Sequence, residues 1–163
     1  MIHDIDNRKR ERCIYLKLRS ALIDDLKNIY TLICKLEESN IDIQEFSQIY
    51  LDNLADQNVH YIVAEDKGKL IGFISLHIQK LLHHVGKISE IQELFVVESY
   101  RRLGIGNKLL NEAKQVSLKN GCIQIEVCCD RKRAISHLFY LSQSMKKTHY
   151  KFTCDLKLNQ LIK

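Results

Sequence analysis

The residues best suited to chemistry lie in one segment, Glu93-Leu94-Phe95-Val96-Val97-Glu98-Ser99-Tyr100-Arg101-Arg102-Leu103-Gly104-Ile105-Gly106-Asn107-Lys108-Leu109-Leu110. An apolar strand pattern runs into a glycine-bearing loop, and the loop opens into a helical pattern. The first amides of a helix have no partners within it. Together with the helix dipole they form a ready anion site. Gly104 and Gly106 carry no Cβ, so a phosphate can come close to the backbone. Arg101 and Arg102 add charge and donors. Two glycines before a helix also suit a plain tight turn. A dinucleotide fingerprint needs a third glycine where Leu109 stands, and a P-loop needs Gly-Lys-Ser/Thr, which is absent. The pattern that remains, Arg-x-x-Gly-x-Gly after a strand, is a third kind of phosphate loop.

Positioning this loop takes a strand before it and a helix after it, and the hydrophobic periodicity supplies both. Residues 88–97 read as a strand. Residues 104–119 read as a helix with Ile105, Leu109, Ala113 and Val116 on one stripe, stopped at Gly121. Upstream, 13–18 alternates as a first strand. A helix capped by Ser20 or Asp24 runs to about Glu38, and Asp42 caps a second helix. Residues 59–65 and 70–79 form a hairpin around Asp66-Lys67-Gly68-Lys69. Downstream come a strand over 122–128, a helix over 133–142 and a closing strand over 148–156. The order β-α-α-β-β-β-α-β-α-β predicts an α/β (α+β) domain with a mixed sheet and helices on both faces.

A chain of 163 residues suits one domain with its own core. A formal charge of +5 favours small acidic ligands such as phosphates and does not argue for nucleic acid. No apolar run approaches the roughly twenty residues of a membrane span. The polar start of the chain does not read as a secretory signal, so the cytoplasm is the expected location. The cysteines form no CxxC pair and mostly sit in apolar segments, which points to reduced thiols acting as small hydrophobes.

Arg101-x-x-Gly104-x-Gly106 resembles the acetyl-CoA signature of the Gcn5-related N-acetyltransferases. Ser136-x-x-Phe139-Tyr140 resembles the same family's small-x-x-Phe-Tyr helix. Other runs are similar to the bacterial aminoalkylphosphonate N-acetyltransferases. These are Leu76-His77-Ile78-Gln79, His83-His84-Val85, Glu90-Ile91-Gln92-Glu93-Leu94, Arg133-x-x-x-His137-x-Phe139-Tyr140-Leu141, Tyr30-x-Leu32-Ile33-Cys34-x-Leu36 and His149-Tyr150-x-Phe152-Thr153. The resemblance implies one acetyltransferase domain over 1–163 with acetyl-CoA as cosubstrate and a small-molecule amine as acceptor. A homodimer is compatible with it. It also implies that Leu94, Phe95 and Val96 pair with the pantetheine arm. The amides of Arg101, Arg102, Leu103, Gly104, Ile105, Gly106 and Asn107 would cradle the pyrophosphate. Two positions depart from the family pattern, Arg102 and Ser144, where the family has Gly.

Acetyl transfer requires a base for the ammonium, a backbone donor for the oxyanion and a proton for the leaving thiolate. Glu90 is the first choice of base and Glu93 the second. On an unbulged strand the two face opposite sides, so only one lines the cleft. A solvated strand carboxylate is the plain alternative for either. Tyr140 is the expected acid, since a phenol with a pKa of about 10 suits a thiolate. His83, His84 and Arg133 are expected on the substrate side, with Arg131 and Lys132 as further donors for a phosphonate. The resemblance also raises a divalent metal, for which a histidine among His77, His83 and His84 together with Glu90 or Glu93 could supply ligands. A domain that binds acetyl-CoA as a sensor without catalysis is the non-enzyme alternative.

Overall fold

The computed structural model describes residues 14–154 and 156. Its elements are β1 (Leu16–Ser20), α1 (Leu26–Glu37), α2 (Ile43–Ala55), β2 (Val59–Asp66), β3 (Lys69–Leu81), β4 (Gly86–Val96), α3 (Ile105–Lys119), β5 (Cys122–Val127) and α4 (Ala134–Ser142). The five strands form one sheet in sequence order, antiparallel from β1 to β4 and parallel between β4 and β5. The parallel pair requires a crossover, and α3 provides it.

Alternation along the strands sorts their side chains into two layers. Ile62, Ala64, Ile74, Leu76 and Ile91 pack with Ile105, Leu109, Leu110 and Ala113 of α3. Val63, Leu70, Phe73 and Phe95 pack on the other face with Ile29, Leu32 and Ile33 of α1 and Tyr50 of α2. Asp42 caps α2 as expected, accepting from the amides of Gln44 and Glu45 at 2.8 and 2.9 Å. Neither Ser20 nor Asp24 caps α1. A 3-10 turn over Ile23–Asp25 leads into it, and the buried Asp25 takes Arg19 at 2.6 Å and the Leu22 amide at 2.8 Å. Arg19 also reaches Glu65 on β2, at 3.0 Å. Arginine beside it holds the Asp25 carboxyl below the usual range, against the opposing pull of burial.

The start of the strand expected over 13–18 lies partly outside the described residues, and β1 begins at Leu16. The strand expected over 148–156 is a correction. Residues 148–154 and 156 form no strand, and β5 is left at the edge of the sheet. The segment alternates polar and apolar residues, but Tyr150, Phe152 and Leu156 are exposed and meet no facing layer. Alternation marks a chain able to pair, while pairing itself depends on a distant partner. No helix among the described residues is long and apolar enough to cross a membrane.

Candidate active site

β4 is paired on both sides for only part of its length. Its pairing with β5 runs from Lys87↔Cys122 to Ile91↔Val127 and stops there. Its pairing with β3 continues to Gly72↔Val96. Leu94, Phe95 and Val96 therefore border an open gap in the sheet, with a strand on one side alone. The chain then turns through 97–104 into α3. Buried Tyr100 anchors the turn, donating its hydroxyl to Asp66 at 3.1 Å. Arg101 closes it against the strand end, with Nε donating to the Val96 carbonyl at 3.0 Å and its guanidinium 5.5 Å from the Phe95 ring centre.

Gly104 stands at the cap of α3 with φ of 78° and offers no side-chain acceptor to the helix. The leading amides of α3 at Ile105, Gly106 and Asn107 thus lack a side-chain cap, and such amides suit an anion. A Cβ on Gly104 would meet nothing within 4 Å, so the space above the cap is open. A Cβ on Gly106 would lie 3.5 Å from the Phe139 ring, ordinary contact distance, which shows α4 packed over the start of α3. Leu103, Arg102 and Asn107 are exposed, while Ile105 enters the core.

A bulge in β4 rearranges the carboxylates. Leu76 pairs with Ile91 and Ile74 with Leu94, so Ser75 alone faces both Gln92 and Glu93. The extra residue resets the alternation. Glu90 is the register partner of His77, and Glu93 accepts from Ser75, two residues before His77 on β3. Ser75 Oγ also accepts the Glu93 amide at 3.0 Å. Glu90 and Glu93 therefore lie on one face, that of α1 and α2, rather than on the opposite faces an unbulged strand would give them. Burial raises the Glu93 carboxyl above its ordinary pKa; the Ser75 hydrogen bond and nearby His77 partly oppose the shift, and Glu37 on α1 adds to it.

Tyr140 sits on α4 with its ring edge-on to Phe139, centroids 5.2 Å apart. Burial pushes its phenol up to about 12; the nearby Cys129 thiol adds to the shift and Arg133 opposes it. The group thus stays a protonated donor across the neutral range. A thiol has an ordinary pKa of about 8.5, so outright proton transfer to a thiolate is uphill here. A hydrogen bond that stabilises the departing sulfur is the role this phenol fits.

The expected substrate-side residues are dispersed. His83 and His84 occupy the exposed β3–β4 hairpin tip with ring centres 4.3 Å apart, and His84 Nε2 lies 3.4 Å from Glu126 on β5. The tip and the glycine loop stand at opposite ends of β4, separated by roughly 30 Å of strand at ~3.3 Å per residue. Arg133 is already engaged, donating to the Leu36 carbonyl at 3.1 Å and Glu37 at 3.2 Å, and so ties α4 to the end of α1. Arg131 and Lys132 remain exposed on the loop between β5 and α4. Among the described residues no three His, Cys, Asp or Glu side chains are placed to hold a metal ion, so the proposed ligands form no metal site. Sequence reasoning missed Ser75, Glu126 and Cys129. Alternation along β5 puts Glu126 opposite Ile125 and Val127, but its neighbour on β4 is a matter of long-range register.

The profile of the acetyltransferase (GNAT) family matches residues 23–143. The chain belongs to the GNAT family of acetyltransferases. This acetyltransferase is 40% identical over 137 residues to the aminoalkylphosphonate N-acetyltransferase of Salmonella typhimurium, covering 84% of this chain and 89% of the relative. Its fold is similar to that of aminoglycoside N-acetyltransferase AAC(6')-Iy solved in complex with CoA, with a TM-score of 0.80 at 16% identity over 89% of this chain and 97% of that one. It is equally close to a transcriptional regulator from Bacillus halodurans C-125, with a TM-score of 0.80 at 18% identity over 87% and 100% of the two chains. Arg102 and Ser144 have φ of 61° and 62°, so the acetyltransferase adopts the left-handed backbone at both positions with residues that disfavour it.

Proposed function

We propose that this protein transfers the acetyl group of acetyl-CoA to the primary amine of a small aminoalkylphosphonate. The observation that carries the reading is the continuous path from the one-sided strand edge at 94–96 to the uncapped start of α3. A pantetheine arm carries amide groups that pair with such an edge, and a pyrophosphate suits the amides from Arg101 to Asn107. Bound there, acetyl-CoA supplies an activated acetyl group at the gap between β4 and β5.

The chain's own residues handle the protons. Glu93 is the base we favour, over Glu90, because it lies at the bulge and burial raises its pKa toward the working range. It takes the proton of the ammonium directly or through one water. The nitrogen then bonds to the acetyl carbon, the carbon–sulfur bond breaks, and the nitrogen's second proton passes to the departing sulfur directly or through a water, while Tyr140 donates a hydrogen bond to that sulfur. The likeness to the Salmonella enzyme supports the phosphonate. An amphoteric substrate agrees with carboxylates on the strands and with exposed Arg131 and Lys132 on the loop between β5 and α4.

Thiol release from acetyl-CoA tests the reading with a panel of amines. Aminomethyl-, aminoethyl- and aminopropylphosphonate should react faster than simple alkylamines of matched length. Equal rates would refute the phosphonate assignment, and no thiol release with any amine would refute the whole reading.

A further inference from the structure

The helix that carries Tyr140 is held by little packing. α4 has nine residues, none of them buried, and no side chain caps its start. A helix of this length is marginal on its own, and its outer side leaves Ile135, Leu138 and Leu141 exposed. Two side chains dock it. Phe139 packs against the core on the α3 side, at contact distance from the Gly106 position. Arg133, the residue just before the helix, docks it to α1. One nitrogen, Nη2, donates both to the Leu36 carbonyl at 3.1 Å and to Glu37 Oε1 at 3.2 Å. Leu36 lies in the last turn of α1, where carbonyls lack partners within the helix and the dipole favours a cation. Since α3 and α1 cover opposite faces of the sheet, the two docks make α4 a bridge between the layers.

Tyr140 follows Phe139 directly. Seven residues, close to two turns, separate it from Arg133, so the two lie along one side of the helix about 10 Å apart. We infer that Arg133 is a positioning residue for acetyl transfer: by tying α4 to α1 it holds the Tyr140 hydroxyl at the departing sulfur. This rests on the acetyltransferase reading given above and adds the contact that keeps its hydrogen-bond donor in line. The guanidinium is engaged with α1, so its effect reaches the reaction through Tyr140. Without it Phe139 remains as a pivot, about which the start of the helix can swing and carry the phenol away. A misplacement of about 1 Å can lower a rate by about 100-fold. Because a single nitrogen makes both bonds, a lysine ammonium with its three donors can take the place of the arginine.

Steady-state rates of the full chain with acetyl-CoA and aminoethylphosphonate test the inference. Arg133→Gln should lower kcat roughly 10-fold, within the reach of a hydrogen bond to a charged atom, and leave the KM of acetyl-CoA within about twofold. Arg133→Lys should recover most of the loss. Tyr140→Phe removes the hydroxyl, so in that background Arg133→Gln should change kcat by less than about twofold. Equal losses in the two backgrounds would mean that Arg133 acts elsewhere and would overturn the inference. Wild-type turnover in Arg133→Gln beside a slow Tyr140→Phe would overturn it as well, with the catalytic reading intact. Hydrogen exchange of the amides at 134–142 reads the tether without turnover. It should quicken roughly 3-fold to 10-fold in Arg133→Gln, the scale of a half-exposed charged pair, and return in Arg133→Lys. Unchanged exchange overturns the inference whatever the rates. Faster exchange in Arg133→Gln, with a wild-type protein that acetylates no amine, leaves the tether standing and makes the catalytic reading the part that fails.

Discussion

Replacing Ser144 by glycine should stabilise the protein, and the geometry at the end of α4 gives the size of the effect. The Ser144 amide donates to the Leu141 carbonyl at 3.1 Å and the Met145 amide to the Tyr140 carbonyl at 3.2 Å. Together these bonds form a Schellman motif, whose turning residue adopts the left-handed conformation that glycine tolerates best. Ser144 turns there with φ of 62° and is exposed. A left-handed residue with a Cβ is strained by about 1–2 kcal/mol. Glycine's larger freedom in the unfolded chain takes back about 0.4–1 kcal/mol. The net gain is about 0.5–1 kcal/mol, a rise in Tm of about 1–4 °C for a domain of this size. Thermal unfolding of wild type, Ser144→Gly and Ser144→Ala measures it. Alanine keeps the Cβ and so gains nothing from relief of strain. A Ser144→Gly midpoint at or below that of Ser144→Ala would refute the assignment of strain to this turn.

Gly104→Val should weaken acetyl-CoA binding at least tenfold, the equivalent of about 1.4 kcal/mol, and Gly68→Val is the matched control. Both glycines have φ near 80°, and a Cβ on either meets nothing within 4 Å, but Gly68 lies in the β2–β3 turn. Calorimetric titration of both variants should show an affinity loss for Gly104→Val alone; equal affinities would remove the pyrophosphate from this loop. Ser75→Ala should move the acidic limb of the kcat/KM profile to higher pH. The bond from Ser75 lowers the Glu93 pKa while burial raises it, so losing the bond lets it rise further. A limb that stays in place or shifts down would exclude Glu93 as the base. Arg19→Gln should destabilise the fold by about 3 kcal/mol at neutral pH, at the low end for a broken buried pair because the arginine is partly exposed. The Asp25 pKa is depressed in the folded state, so its contribution is complete above the unfolded value of about 4 and fades as pH falls through the folded one. Urea unfolding from pH 7 to 3 should therefore show the wild-type advantage shrink toward acid, and a constant difference would argue against the ion pair.

The glycine loop and the helix behind it were legible because their signals are local. Gly104, Gly106 and the apolar stripe of α3 lie within a few turns of chain, and they specify both the cap and the buried face. Asp42 was legible for the same reason. The bulge was not, because it depends on Ser75 meeting Gln92 and Glu93 across two strands, and a single strand gives no sign of a partner one residue short. Treating β4 as regular therefore placed Glu90 and Glu93 on opposite faces. Arg133 was taken for a substrate donor because its partners, Leu36 and Glu37, lie almost a hundred residues away in sequence. The alternation at 148–156 was read as a strand because a pattern of period two says nothing about whether an edge is there to receive it.

The gap between β4 and β5 also bears on how the protein survives at high concentration. An edge with unpaired amides and carbonyls is a template for any extended segment, including one from a second molecule in the wrong register. Here the edge lies at a fork inside the sheet, where charged side chains cannot blunt it without blocking the path to the glycine loop. A ligand that lies along the edge closes it, and by mass action it also draws the population away from partly opened forms. Shelf life in storage should thus follow the occupancy of the gap, with the empty protein the form that turns a solution cloudy.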